Sequence, residues 1–517
     1  MEQNNQKLQG ELVSRGFSTD LAAEFLLPDY QPEIKRLLRV RAIPLPVEEY
    51  VGGSAAELSG AVEFQALYAA EDSSLWCVTK REDYQLSCPF DGDGFDLSDG
   101  LVCDVKTEVE GVSGRVTAPR KLTARCRVRT NVRLLADRPT PDDAGDDAIQ
   151  RLPGTMPASR VRLGKSEPIT LTDEIPLDPN QPPMRVISAV GEVFPTEVQA
   201  GENAVACRGD VLLTLLCAAE QVPSAEGAED CVPAAFPTVE LSRKIPFAAE
   251  IPVDGVTPTC AATVWGSCAD LAVTVEEARI LCDVTMVLNA RAVCREEIPF
   301  TRDAYSTAVL TEPVFSTLSA NRVLACKNGN CSLSAQKELS ELGLRPDARV
   351  IDSAAEVVVQ PPELTRGNYI LPGNLHLTVL TGTPDGEFAP AELDLPFRFE
   401  TMAEAPVAPA TGDSIVTPVR IKAMIDGNRL LAEAELSVSL ALSAAESVAA
   451  LVSLRPGDPV PAPAADLTIC YPAPDDTLWS VASRYHTPVA ALSEKNDLPA
   501  APADSPASLA GVRFLFV

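Results

Sequence analysis

The sequence predicts a mainly β protein, with tandem antiparallel β-rich domains followed by a small strand–helix–helix–strand (βααβ) module. Three observations predict it. Apolar residues alternate with period two over long stretches, one layout of such stretches is written three times, and only the end of the chain turns to helical spacing. In RKLTARCRVRTNVRLL (120–135), Leu122, Ala124, Cys126 and Val128 point one way, and Thr123, Arg125, Arg127 and Arg129 the other. That is the pattern of a half-buried antiparallel strand with one wet face.

Each repeat opens with a strand-like run: AVEFQALYAA (61–70), DVLLTLLCAA (210–219) and NLHLTVLTGT (374–383). A second run ends in Pro-Phe: DYQLSCPF (83–90), ELSRKIPF (240–247) and AELDLPF (391–397). A longer alternation closes each repeat, at 120–135, 278–293 and 428–443. Phe247 to Arg279 and Phe397 to Arg429 are both 32 residues, and the Pro-Phe landmarks lie 157 and 150 residues apart. Matched landmarks in one order read as a tandem repeat. Proline at a strand end suits its missing N–H donor. The phenylalanine after it can plug the end of a sandwich core.

These landmarks divide the chain of 517 residues. Residues 1–30 are expected to be an N-terminal helical segment. Residues 31–137, 161–297 and 298–454 are read as three β domains, the third diverged in its first half. DRPTPDDAGDDAIQRLPGTMPAS lies in a linker at 138–160, and a Pro/Ala spacer spans 455–466, before the module at 467–517. MAEAPVAPATGDS (402–414) reads as an insertion within the third domain.

A formal net charge of −30 repels phosphate backbones, so nucleic acid is not an expected partner. The opening residues lack a basic stretch followed by an apolar run, and no window is apolar for the ~18 residues of a membrane span. The expectation is a chain with no transmembrane segment that stays where it is made. The 14 cysteines form no CxxC pair, and several sit within apolar alternations, as Cys126, Cys217 and Cys282 do. They are expected to be buried free thiols, a pattern that fits a reducing compartment. No GxSxG, HExxH or phosphate-binding glycine loop is present, and there are two histidines, His376 and His486. GDGFDLSDG (92–100) lacks the ligand spacing and closing Glu of a calcium loop. The chain is therefore expected not to be an enzyme, and to carry no cofactor and no metal.

In the C-terminal module, Asp475-Asp476-Thr477 is a good helix N-cap cluster. Leu478, Val481, Ala482 and Tyr485 then share one helical face. Thr487 can cap a second helix with Pro488 at its first position. DTLWSVASRYHTPVAALSEKNDL resembles a LysM domain, a family that grips N-acetylglucosamine chains in a shallow groove. The resemblance implies a groove formed by Asp476, Thr477, Leu478, Asn496, Leu498 and Pro499. The chain departs from the family pattern at Asp475, where glycine is usual, at Pro472, and in a long loop after the second helix. Two of these changes border the groove.

The three β units resemble SPOCS domains of sporulation proteins. The matching features are the lead-in PEIKRLLRVRAIPL, the strand FQALY, the Ile-Pro-Phe of RKIPF and the closing Arg-x-Leu strand. SPOCS repeats with a LysM tail resemble the clostridial spore-coat morphogenetic family. That resemblance implies a non-enzymatic scaffold in the mother-cell cytoplasm, at the forespore surface. Its implied partners are a spore-coat morphogenetic ATPase and coat proteins. A wall-associated protein that binds peptidoglycan or N-acetylglucosamine oligomers is the alternative.

Overall fold

The protein is described by a computed structural model. The described residues are 7–97, 101–139, 148–177, 184–219, 238–276, 279–402, 407–409, 411–461, 467–498, 502–505, 509 and 511–517. The fold is mainly β, with 75% of residues in strands and 3% in helices, and every strand pairing is antiparallel.

The first segment holds β1 (Lys7–Leu26), β2 (Ile34–Pro44), β3 (Glu48–Val51), β4 (Ala55–Ala70), β5 (Leu75–Pro89), β6 (Val102–Ala118) and β7 (Lys121–Pro139). The second holds β8 (Ile149–Lys165), β9 (Ile169–Pro176), β10 (Met184–Ala200), β11 (Ala204–Ala219), β12 (Thr238–Pro252), β13 (Ala261–Val275) and β14 (Arg279–Ser306). The third holds β15 (Val309–Glu338), β16 (Arg349–Val359), β17 (Glu363–Thr365), β18 (Asn368–Gly382), β19 (Phe388–Met402), β20 (Thr411–Asp426) and β21 (Arg429–Pro459). Each segment forms two sheets by one rule. Its first strand pairs with its last, which pairs with the one before it: β1-β7-β6, β8-β14-β13 and β15-β21-β20. The middle strands make the other sheet, around β4, β11 and β18, except that β9 of the second segment pairs with β14 in the first sheet. The core of each segment lies between its two sheets. In the first, Phe64 and Tyr68 of β4 pack with Leu122 and Val128 of β7.

The opening runs of the repeat fall on the central strands β4, β11 and β18, and the long alternations on β7, β14 and β21. The Pro-Phe landmark needs two corrections. Pro246 and Pro396 lie inside the edge strands β12 and β19 rather than at strand ends, where only Pro89 sits. In register, Phe247 faces Gly209 and Phe397 faces Gly373, but the residue facing Gly60 is Tyr84, not Phe90. A Cβ at any of these three glycines would collide with the opposing ring. The landmark is thus an aromatic ring laid over a cross-strand glycine, and in the first segment it is a tyrosine.

Several other expectations are overturned. Residues 7–26 are not helical. Their Leu, Ala and Glu content suits a helix, but the open edge of β7 needs a strand partner, and pairing overrides the local preference. The expected linker at 138–160 contains most of β8, whose Pro153 and Pro157 sit on an edge strand bonded on one side only. No boundary falls at 297/298, because β14 runs unbroken to Ser306. The spacer at 455–466 begins as strand, since β21 extends to Pro459. Of the remaining spacer, 462–466 lie outside the described residues, as do 403–406 and 410 of the expected insertion.

The thiol expectation is corrected in one place. Cys260 and Cys294 form a disulfide, with Cα atoms 4.4 Å apart. They continue the register in which Ala261 faces Val293, so cross-strand geometry brings them together. The other described cysteines are free, and most are buried. Burial pushes the thiols of Cys207, Cys217 and Cys282 up to about 11, so they stay protonated at neutral pH.

The three segments meet around a shared core. Each has a β-bulge at one equivalent place: Leu38 is the extra residue in β2, Ile187 in β10 and Ile351 in β16. The three side chains enter one apolar cluster with Leu67, Leu216 and Leu380 of the central strands. A second bulge lies opposite Met286 and Leu436 of the second and third closing strands, and β6 is irregular near the corresponding place, by Arg127. The next residue after each core bulge is Arg39, Ser188 or Asp352. Arg39 and Asp352 form an ion pair whose side chains are 10% and 6% exposed.

Farther along, equivalent positions hold Arg133, Arg291 and Ala441 on the closing strands, facing Asp104, Thr263 and Asp413. Arg133 reaches Asp104 at 2.7 Å and Asp413 at 3.2 Å. Arg291 reaches Asp413 at 2.7 Å and Asp104 at 3.4 Å. Two arginines and two aspartates thus tie all three segments together. A cavity of about 30 Å³ lies beside them, lined by Gln9, Ser159 and Asn321 among others.

Two predictions follow from these ion pairs. Asp352→Leu leaves Arg39 buried without its partner and is expected to cost about 3–5 kcal/mol in urea unfolding, whereas the double variant Arg39→Leu/Asp352→Leu regains most of that loss. Equal losses in the single and double variants would sink this account. For Asp413, burial would raise the pKa, but Arg291 and then Arg133 outweigh it and the carboxyl sits below its usual range. A lowered folded pKa contributes stability that is full above about pH 4 and is lost as pH falls through the folded value. Asp413→Asn should therefore flatten the loss of thermal stability on acidification, and an unchanged acid profile would count against it.

Candidate functional site

The C-terminal module has the order β22 (Ile469–Cys470), α1 (Leu478–Arg484), α2 (Val489–Lys495) and β23 (Leu515–Phe516), with β22 and β23 paired. Thr477 caps α1: its Oγ1 accepts the Ser480 N–H, and its own N–H donates to Ser480 Oγ. The expected Thr487 cap of α2 is not made: Pro488 takes the cap position, no side chain caps the helix, and Thr487 Oγ1 donates to Tyr485 O. Each helix ends in a left-handed residue, His486 (φ 50°) after α1 and Asp497 (φ 47°) after α2. Thr487 N–H then donates to Ala482 O, and Leu498 N–H to Ser493 O, a closure that usually recruits glycine. Asp475 is not in a left-handed conformation, so the missing glycine there causes no strain.

The residues expected to line a sugar groove are turned to internal tasks. Asp476 is buried and accepts from Arg484 Nη2 at 2.6 Å and from the Ala473 N–H at 2.9 Å. The hydrogen bond from Arg484, then that from Ala473, holds its carboxyl below the usual range. Thr477 is the helix cap. Leu478 is 5% exposed and belongs to the apolar core of the module, against which Leu498 packs. Asn496 uses its whole amide: Nδ2 donates to Leu492 O and Phe516 O, and Oδ1 accepts the Phe516 N–H. It latches β23 to the end of α2. Pro499 lies outside the described residues. The loop after α2 closes on the start of α1, where Trp479 N–H donates to Ala503 O at 2.8 Å.

A second set of contacts was not foreseen from sequence. The module is docked on the end of β14 and the start of β8. Trp479 Nε1–H donates to Asp303 Oδ2 at 2.9 Å, and its ring meets that of Tyr305 edge-on, with centroids 5.0 Å apart. Tyr305 O–H donates to Thr487 O at 2.7 Å, and His486 Nδ1 lies 3.0 Å from Ser306 O. Arg302 pairs with Asp504 at 2.6 Å, and Leu152 joins the module's apolar core. One signal was available. Trp479 falls beside the stripe of Leu478, Val481 and Ala482 rather than on it, so a large ring there needs a partner outside the helix.

Among the described residues, no group of His, Cys, Asp and Glu could hold a metal ion, and no helix is long and apolar enough to cross a membrane. No family model, no curated protein and no solved structure matches the chain.

Trp479→Phe removes the donor to Asp303 and keeps most of the ring. It is expected to weaken docking by about 1.5–3 kcal/mol. Amide exchange in α1 should accelerate while β14 and β21 keep their protection. Unchanged exchange in α1 would mean that the hydrogen bond contributes nothing to docking.

Proposed function

We propose that the chain is a non-enzymatic assembly scaffold of the spore coat. It works in the mother-cell cytoplasm at the forespore surface and docks a coat morphogenetic ATPase through its LysM-like tail and its β segments. The observation that carries this reading is the state of the tail. Asp476, Thr477, Leu478 and Asn496 are spent on caps, core and strand latch, and the loop at Ala503 lies over the start of α1. A tail so arranged is better suited to meeting a protein than to gripping a sugar chain. Three segments gripping a common core give the rigid body that a scaffold needs.

A second reading, a wall protein that binds N-acetylglucosamine polymers, has one observation in its favour. The Cys260–Cys294 disulfide is a bond that persists best outside reducing compartments.

Two experiments separate the readings. Deletion of residues 467–517 in a sporulating host should detach the coat from the forespore, and normal coat localisation would sink the scaffold proposal. Titration of the full chain with N-acetylglucosamine hexamers should release no heat. Clear micromolar binding would favour the wall reading.

A further inference from the structure

The closing strand of each segment outruns its neighbour and leaves an equivalent bare edge. Pairing of β6 with β7 ends at Leu135, of β13 with β14 at Val293, and of β20 with β21 at Ser443. The first edge is covered by its own chain: Asp96 N–H donates to Asp137 O at 2.7 Å, and the Arg138 guanidinium lies 4.0 Å over the Phe95 ring. The second is covered by the C-terminal module, through Asp303, Tyr305 and Ser306. On the third, no strand pairs with β21 beyond Ser443 on the side away from β15 among the described residues.

The second and third ribbons share a bulge, with Arg302 as the extra residue in β14 and Val452 in β21. Arg302 pairs with the module, whereas Val452 is 39% exposed, next to Phe315 at 46% on the paired strand. The uncovered edge reads VAALVSL (448–454), with no charge and no proline to discourage pairing.

We propose that this ribbon is a self-association surface that takes the same ribbon of a second copy of the chain. Charge complementarity selects that occupant. Glu446 precedes the apolar run and Arg455 follows it. Two copies running antiparallel about Ala450, with Val452 of each as the unpaired bulge residue, bring each Arg455 opposite Glu446 of the other copy, at both ends of the contact. Both side chains are available for this. Arg455 stands 3.9 Å from Glu312 with each 70% or more exposed, and Glu446 meets Arg322 at a surface where both are about one-third exposed. Such pairs hold little energy and exchange readily. A two-fold contact of this kind is closed, so it stops at a dimer. The net charge of −30 repels a second copy at long range, a repulsion that salt screens.

Sedimentation of the full chain at moderate salt tests this. A concentration-dependent dimer is expected. Val452→Lys places a charge on the apolar edge and should weaken the dimer by about tenfold or more. Arg455→Glu and Glu446→Arg should each weaken it, and the two together should restore it. Thermal unfolding of each variant confirms that the chain remains folded. A monomer at every concentration overturns the proposal and leaves the edge to a different protein's strand. A dimer untouched by Val452→Lys, or a double reversal that fails to restore pairing, also overturns it.

Discussion

One extra residue in one strand, repeated three times, holds the body of this protein together. A bulge turns a side chain that would follow the pleat into a new direction. Here it turns Leu38, Ile187 and Ile351 away from their own sandwiches and into a cluster that belongs to all three segments. Burying each such side chain contributes about 1.5–3 kcal/mol. Without the bulges, each segment could still close its own two sheets, but nothing apolar would bind one segment to the next at this place. Segments that merely follow one another on a chain are by default free to move. These are not.

The charged residues then decide which segment sits where. A ring of identical positions would let any segment take any place. Equivalent sites instead carry Arg39, Ser188 and Asp352 in one layer, and Arg133, Arg291 and Ala441 facing Asp104, Thr263 and Asp413 in another. Attraction is satisfied only when the first and third segments meet across Arg39 and Asp352, with Arg133 and Arg291 straddling Asp413. Buried ion pairs of this kind are a weak source of net stability, and their best-attested use is to fix register and partner choice.

Much of this was legible in the sequence, and what was hidden has physical reasons. Central and closing strands announce themselves because one face is buried and the other wet, as with Leu122 to Val128 against Thr123 to Arg129. The opening strands do not. β1 alternates only over its second half, from Phe17 to Leu26, and β8 carries Pro153 and Pro157 on a free edge, so neither shows one pattern along its whole length. The aromatic over a cross-strand glycine was seen as Pro-Phe because two of its three copies happen to be Phe, and Tyr84 escaped. The two helices of the tail and the Thr477 cap of α1 could be read from the sequence, but the Thr487 cap expected for α2 is not made, because Pro488 itself occupies the cap position. The docking of the tail could not be read, since Trp479 and Asp303 lie far apart in the chain and nothing local couples them. The groove assignment rested on a resemblance. Residue type alone does not say whether Asp476 or Asn496 spends its hydrogen bonds on a ligand or, as here, on its neighbours.

The pairing of each first strand with its segment's last strand has a consequence for biosynthesis. When β1 leaves the ribosome, its partner β7 has yet to be translated, and the same delay recurs for β8 and β14, and for β15 and β21. At about 5–20 residues per second, each opening strand waits several seconds to tens of seconds with its ladder unmade. Closing such long loops costs chain entropy before any contact rewards it, so this topology folds slowly. The prolines of β8, which hid it from sequence reading, then acquire a use. A strand that must wait alone is safer when it is interrupted by proline, because it offers a poor template to other nascent chains.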